Sequence, residues 1–166
     1  MKILFITHVN EKNLFPNDII NDCVLHGLKQ VYGNSNVIDY PGAWHMYNAE
    51  VNKRNFNYKN FWGNGFTYYD LLSNYESVDR SDIENKIKNN FFEYIIYGSI
   101  TRSQIYLNEA INSKSKVILI DGEDHSNLDF NKNQKIIYFK RELTKDINNV
   151  FPINVTIPKS KIINKI

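Results

Sequence analysis

The sequence predicts an α/β fold, a three-layer sandwich around a mainly parallel sheet of the Rossmann-like or flavodoxin-like kind. Three observations predict it: short apolar runs recur along the chain, helical patterns separate them, and turn residues follow most of the runs. Strands buried on both faces have such runs, and strands that alternate with helices form parallel sheets with right-handed crossovers. The length of 166 residues fits one domain. We assign it to residues 1–158 and residues 159–166 to a C-terminal tail.

The first two strands and the helix between them are the clearest elements. KILFIT, from Lys2 to Thr7, reads as a strand buried on both faces. Asn17 or Asp18 can cap the helix that follows, whose apolar positions recur at helical spacing until Gly33 ends it. NVIDY, at residues 36–40, is the second predicted strand.

Residues 43–79 form an irregular, aromatic-rich insert without a clear period. A long irregular segment in a compact domain is usually functional or mobile. A helical turn is predicted from Leu71 to Tyr75. GNGF, at residues 63–66 beside Trp62, predicts a flexible elbow whose rings either stack on a ligand or hold the loop against the core.

Alternation resumes after the insert. Ser81 and Glu84 have the spacing of a capping box, which predicts a helix over residues 82–89. A second helix is predicted over residues 102–112. The remaining predicted strands are residues 91–97, 116–120 and 135–139, and residues 153–157 form a last extended piece.

Composition sets limits on partners and location. The formal net charge of +2 is too small to indicate nucleic acid binding. Cys23 is the single cysteine, so no internal disulfide can form, which fits a reducing compartment. The apolar run at the N-terminus is too short for a signal peptide, and no segment is apolar enough to span a membrane. A cytoplasmic location is therefore expected.

Chemistry-bearing side chains follow the predicted strands. Ligands of parallel sheets bind at the carboxyl ends of the strands, so these residues are expected to share one edge. The candidate ligand-binding residues are Ser99, Thr101 and Arg102 after the third strand, Asp121, Glu123, Asp124 and His125 after the fourth, and Lys140 and Arg141 after the fifth. His8, after the first strand, is either a base or a partly exposed polar residue.

The segment IDGEDH leaves three interpretations open. Asp121 and Glu123 resemble an acidic pair that holds a divalent metal against a diphosphate. The same carboxylates could contact an organic ligand directly. Alternatively, Asp-Gly forms a plain turn after the strand. Adjacent carboxylates repel one another unless a cation is near, and Lys140 and Arg141 could supply that charge.

The segment GSITRS, at residues 98–103, leaves two interpretations open. A helix N-terminus with Arg102 beside it would suit a phosphate, whereas Ser99 or Thr101 could be a plain N-cap. The segment matches neither of the two strongest nucleotide fingerprints, G-x-G-x-x-G and G-x-x-x-x-G-K-[ST]. No nucleophile constellation stands out, and one cysteine with scattered histidines excludes a Cys/His zinc site.

Five segments together resemble the N-terminal Rossmann-like domain of bacterial GT-B glycosyltransferases, in particular the group-1-like proteins of cell-surface polysaccharide pathways. They are KILFITH, a strand ending in GSITR, VILIDGEDH, IIYFKREL and PINVTIP. The pair IDGEDH and YFKREL carries most of the resemblance, which covers about residues 81–158. The aromatic-rich insert matches nothing in that family.

The resemblance implies a domain that binds a sugar or glycan acceptor across an interdomain cleft, with His8 as the best candidate for the base. It also implies that the chain is incomplete as an enzyme by itself, because a second Rossmann-like domain or a partner chain would hold the sugar nucleotide. It implies no metal, and we expect no cofactor. Two other functions remain open: a non-catalytic ligand-binding or protein-interaction module, and a metal-dependent phosphotransfer or hydrolase domain that uses Asp121 and Glu123.

Overall fold

The expected parallel sheet is confirmed, with six strands in the order β2-β1-β3-β4-β5-β6. The structure is a computed structural model that describes residues 1–9, 18–57, 59, 68–128 and 136–156. All the strand pairings in the sheet are parallel. The strands are β1 (Ile3–Ile6), β2 (Val37–Tyr40), β3 (Tyr94–Tyr97), β4 (Lys116–Asp121), β5 (Ile136–Lys140) and β6 (Val150–Pro152).

Helices cover both faces of the sheet, so the three-layer sandwich is also confirmed. The helices are α1 (Ile19–Tyr32), α2 (Asn48–Lys53), α3 (Ile83–Lys88) and α4 (Leu107–Asn112). One face of the central strands packs against α3 and α4. The other face packs against α1 and the first part of the insert, where Cys23, Trp44 and Tyr47 are buried. Within the described residues, no helix combines the length and apolar character needed to cross a membrane.

The predicted caps of α1 are confirmed. The Asp18 side chain accepts a hydrogen bond from Asn21 N at 3.0 Å, which satisfies one of the free N–H groups of the first turn. Gly33 follows the helix with φ 84° and donates its N–H to Lys29 O. A residue with a side chain would be strained at this φ, so glycine, which has no Cβ atom, is favoured at the end of the helix.

The predicted capping box of the next helix is wrong. Ser81 bonds to Asp79 through its hydroxyl, and the N-cap of α3 is Asp82, which has φ 51° and makes no side-chain capping bond. The predicted helix over residues 102–112 is wrong in its first half. Tyr106 has φ 57°, so the left-handed backbone at this position delays the start of α4 to Leu107.

Three boundaries also differ. The helical turn predicted from Leu71 to Tyr75 is wrong, because Leu72 forms an isolated bridge with Tyr47 and the 3₁₀ turn lies at Tyr75–Ser77. The strand predicted over residues 91–97 begins at Tyr94. The last strand is Val150–Pro152 rather than residues 153–157. The GNGF elbow and the tail at residues 159–166 lie outside the described residues.

A buried charge cluster, the Asp39 cluster, joins α1 and the insert to β2. We define it as Asp39, Lys29, Arg80 and Tyr47. The Asp39 carboxylate lies 3.1 Å from Lys29 Nζ and 3.0 Å from Arg80 Nη2, and it accepts a hydrogen bond from Tyr47 Oη at 2.7 Å. Burial would raise the pKa of Asp39, but Lys29 and Arg80 outweigh it and hold the pKa below its usual value.

A short segment near the C-terminus, residues 153–156, runs from the end of β5 towards α1, and we call it the C-terminal strap. Ile153 donates its N–H to Lys140 O at 3.2 Å, next to the end of β5. Three residues later, Thr156 O accepts a hydrogen bond of 2.7 Å from Tyr68 Oη. The Tyr68 ring in turn lies 5.7 Å from the ring of His26 in α1. The strap therefore links the end of β5 to Tyr68 of the insert and, through the Tyr68 ring, to α1.

Candidate functional site

The strand order places a topological switch point between β1 and β3. The chain passes from β1 to β2 on one side and reaches β3 on the other, so the loops at the carboxyl ends of β1 and β3 diverge. The same arrangement occurs in the flavodoxin-like order, where the crevice between the diverging loops is the usual ligand site. His8 follows β1 here, and Thr101 and Arg102 follow β3.

Side chains from three elements meet at this switch point. Arg102 Nη1 lies 3.0 Å from Asp18 Oδ2 at the start of α1, and Arg102 Nε lies 3.8 Å from Glu123 Oε1 after β4. Thr101 Oγ1 donates a hydrogen bond of 2.9 Å to the same Glu123 oxygen. We call the group formed by His8, Asp18, Thr101, Arg102 and Glu123 the switch-point crevice. It offers hydrogen-bond donors and acceptors at one edge of the sheet.

The charge state of His8 is set by its surroundings. Burial lowers the pKa of His8 below its usual value. The Asp18 and Asp22 carboxylates act in the opposite direction, but burial outweighs them, and Arg102 lowers the pKa further. A histidine with a lowered pKa is neutral near pH 7. A neutral imidazole can accept a proton, but both ring nitrogens of His8 are buried, so a bound group reaches them only if the neighbouring side chains move.

Beneath the crevice lies a buried carboxylate–imidazole pair that the sequence analysis missed. His45 Nε2 is 2.9 Å from Asp22 Oδ2, and both side chains are fully buried. Asp22 also accepts hydrogen bonds from Asp18 N at 3.2 Å and Asn21 Nδ2 at 3.0 Å. No sequence signal joins the two residues, because His45 lies in the aperiodic insert. The pair ties the insert to the first turn of α1.

Gly98 allows α1 to lie close to the exit of β3. A Cβ atom at Gly98 would lie 2.2 Å from Asn21 Oδ1 and 2.4 Å from the Phe5 ring. We expect Gly98→Ala to lower the free energy of unfolding by about 1–3 kcal/mol, because both neighbours are buried. Chemical unfolding measures this. The matched control is Gly27→Ala in α1, where no atom lies within 4 Å and alanine is expected to stabilise the helix by about 0.5–1 kcal/mol. Equal effects of the two changes would contradict the prediction.

Asp121 and Lys140 are engaged with each other inside the protein. Lys140 Nζ lies 2.9 Å from Asp121 Oδ1, and both side chains are fully buried. Tyr138 Oη donates to Asp121 Oδ2 at 2.6 Å, and Glu123 N donates to Asp121 Oδ1 at 3.0 Å. Lys140 Nζ also donates to Glu123 O at 3.2 Å. The ion pair therefore holds the backbone of Glu123 from both sides and positions its carboxylate toward Arg102.

The other candidate residues lie at the rim or in the turn. Asp124 forms an ion pair with Arg141 and has 84% of its side chain exposed, so this pair faces water. His125 is also exposed. Ser99 is buried, and its carbonyl accepts hydrogen bonds from the N–H groups of Arg102 and Ser103.

The segment GSITRS is a turn rather than a helix N-terminus. The two bonds to the Ser99 carbonyl close the turn, and α4 starts only at Leu107. Both interpretations of this segment, the phosphate site at a helix N-terminus and the plain N-cap, require a helix to begin here, and both are wrong, because α4 begins only at Leu107. Among the residues that the structure describes, no three His, Cys, Asp or Glu side chains come together as metal ligands.

Comparison with known proteins adds no relative. No protein-family model, no curated protein and no solved structure matches the chain.

Proposed function

We propose that this chain is the acceptor-side half of a GT-B glycosyltransferase that acts in the synthesis of a bacterial surface polysaccharide or glycan. The switch-point crevice would bind the sugar or glycan acceptor, and a second Rossmann-like domain or a partner chain would hold the sugar nucleotide. The parallel sheet and the resemblance of residues 81–158 support this proposal. The observation that carries it is the meeting of Asp18, Thr101, Arg102 and Glu123, which brings hydrogen-bond donors and acceptors together at the edge of the sheet.

The crevice can perform one step of such a transfer. An acceptor hydroxyl against His8 would give its proton to the neutral imidazole while its oxygen forms the bond to the anomeric carbon. The glycosidic electron pair would leave with the nucleoside diphosphate. Arg102, Thr101 and Glu123 would hold neighbouring hydroxyls, since Thr101 already donates a hydrogen bond to Glu123 and the Arg102 guanidinium lies 3.8 Å from the same carboxylate. Asp124, His125 and Arg141 would extend the contact at the rim.

Measurements of acceptor binding and of sugar transfer test the proposal. The purified chain is expected to bind a glycan acceptor, and a form that includes a second domain is expected to transfer sugar. His8→Gln should lower the transfer rate by about 100-fold or more, because it removes the base, and should leave the affinity for the acceptor nearly unchanged. His26→Gln in α1, outside the crevice, is the matched control and should retain the rate. If neither form binds a sugar nucleotide or a glycan acceptor, the proposal fails.

One observation favours the second candidate, a non-catalytic interaction module. Phe151 and Val155 are large apolar side chains with exposures of 47% and 48%, and the Phe151 ring lies 5.7 Å from that of Phe139. The second candidate requires that these side chains form one apolar patch, since contiguous patches are typical of protein-contact sites. In that case Phe151→Ser would abolish partner binding, whereas His8→Ala would leave partner binding intact. Loss of sugar transfer in a folded His8→Ala variant would exclude this candidate.

A further inference from the structure

Most of the exposed apolar side chains lie at the edge of the sheet opposite the crevice. This edge, which we call the amino edge, lies where β1, β3 and β4 begin and where α1, α3 and α4 end. It consists of residues 1–2, 31–35, 88–93 and 112–116. Of the six large apolar side chains that are exposed among the described residues, four lie here: Met1, Val31, Tyr32 and Phe91.

Hydrogen bonds hold the segments of the amino edge side by side. Lys2 Nζ donates to Ser35 O at 2.6 Å, and Glu93 N donates to Lys2 O at 2.9 Å. Lys116 N in turn donates to Glu93 O at 3.0 Å. These bonds connect the starts of four neighbouring strands, in the order β2-β1-β3-β4, over about 14 Å. The exposed apolar side chains therefore belong to one edge of the molecule rather than to scattered positions.

The amino edge also carries a surplus of positive charge. Its charged side chains are four lysines and one carboxylate: Lys2, Lys88, Lys114, Lys116 and Glu93. Lys88 is half exposed and pairs with Glu84, one turn earlier in α3. Lys114 and Lys116 form no ion pair within the described residues. At the crevice edge, in contrast, each arginine is paired with a carboxylate. An anionic surface is therefore attracted to the amino edge.

This arrangement fits a lipid surface better than a protein or a nucleic acid. A protein partner needs a contiguous apolar patch, whereas the apolar side chains here lie on three segments with lysines between them. A bilayer interface accepts separate side chains, because each enters the headgroup boundary by itself while ammonium groups meet anionic headgroups. A nucleic acid would leave the aliphatic Met1 and Val31 without a role.

We propose that the amino edge binds reversibly to a membrane surface that carries anionic lipid headgroups, with Phe91, Lys114 and Lys116 among the main contacts. Four lysines attract such a surface only weakly, so the contact is reversible. The crevice lies at the other end of the strands and would open to the aqueous side. The inference does not depend on the proposed function, because no residue of the crevice takes part in it.

Sedimentation with vesicles tests the inference. The parent chain is expected to sediment with vesicles of equal parts of phosphatidylcholine and phosphatidylglycerol and to stay in solution with phosphatidylcholine alone. Added salt should release it, because salt screens the attraction. Lys114→Gln with Lys116→Gln should lower the partition coefficient at least about tenfold, since each lysine near an anionic membrane contributes about fivefold. Phe91→Ser should lower it about threefold or more.

Two matched controls lie outside the amino edge. Lys53→Gln with Arg141→Gln removes the same charge from ion pairs elsewhere. Phe151→Ser removes a ring of nearly the same exposure from β6, beside Phe139. Both controls should leave the partition coefficient nearly unchanged. Urea unfolding confirms beforehand that each variant keeps the parent midpoint.

Three results would overturn the inference. The first is that the chain does not sediment with the anionic vesicles, or that the controls lose as much binding as the amino-edge variants. The second is a concentration-dependent dimer that Phe91→Ser abolishes, because the edge would then contact a second copy of the chain. The third is tighter binding to a single-stranded oligonucleotide than to the vesicles. The proposed function stands in each of these cases.

Discussion

Asp39→Asn is expected to lower the free energy of unfolding by about 3–5 kcal/mol, the usual cost of removing one partner from a buried ion pair. The Asp39 side chain is fully buried, Lys29 is 1% exposed and Arg80 is 15% exposed. Asparagine keeps the volume of the side chain but leaves both cations without a counter-charge. It also weakens the hydrogen bond that Tyr47 Oη donates to the side chain at position 39. Tyr47 lies in the insert, two residues after His45, so this bond connects the insert to β2.

Urea unfolding near neutral pH measures this loss. Asp79→Asn is the matched control, because its carboxylate is 66% exposed and pairs with Lys86 at the surface. The control should leave the unfolding midpoint unchanged within error. A loss below about 1 kcal/mol in Asp39→Asn would show that the cations find other partners. The pH dependence has a definite sign: because the pKa of Asp39 is lowered, its stabilisation is present above the unfolded pKa of about 3.9 and is lost as pH falls further.

Lys140→Met is expected to lower the free energy of unfolding by about 3 kcal/mol. It leaves the fully buried Asp121 carboxylate without its cation, although Tyr138 Oη and Glu123 N still donate to it. The change should also loosen the turn at Glu123, because Lys140 Nζ donates to its carbonyl. The double variant Lys140→Met with Asp121→Asn should cost less than the sum of the single changes, because the uncompensated charge is absent.

The neighbouring residue provides the control. Arg141→Met breaks an ion pair with Asp124, which is 84% exposed, and should cost no more than about 1 kcal/mol. Thermal or urea unfolding of Lys140→Met, Asp121→Asn and the double variant, each compared with the parent chain, completes the double-mutant cycle. Strict additivity of Lys140→Met and Asp121→Asn would contradict the coupling that the 2.9 Å contact implies.

The fold could be predicted because its signals are local. The run at residues 3–6, the caps Asp18 and Gly33 and the run at residues 116–121 each identify an element without its partners. One boundary failed where the backbone adopts a left-handed conformation at Tyr106, since tyrosine rarely adopts this conformation and does not mark it in a sequence.

The geometry of the candidate site could be predicted only in part. Position after a strand identified His8, Arg102 and Glu123, because strand ends are readable from apolar runs. The partners of these residues were not readable. Asp18 was considered only as a cap, and the Asp22–His45 pair joins residues 23 apart through an insert without a period. Contacts of this kind depend on tertiary packing, which a single sequence does not encode in its spacing.

The position of β1 between β2 and β3 has a consequence for the order in which the chain can assemble. Strand β1 pairs with β2, but it also pairs with β3, where Ile3 faces Tyr94. The later strands each pair with the strand before them in the chain. The contact between β1 and β3 therefore closes the longest loop among the strand pairings and carries the largest closure entropy, because that entropy grows with loop length. The contacts of Asp39 with Lys29 and Arg80 lie inside this loop and shorten it. His8 and Arg102 follow the two strands that this pairing joins, so the same contact brings both residues to one edge of the sheet.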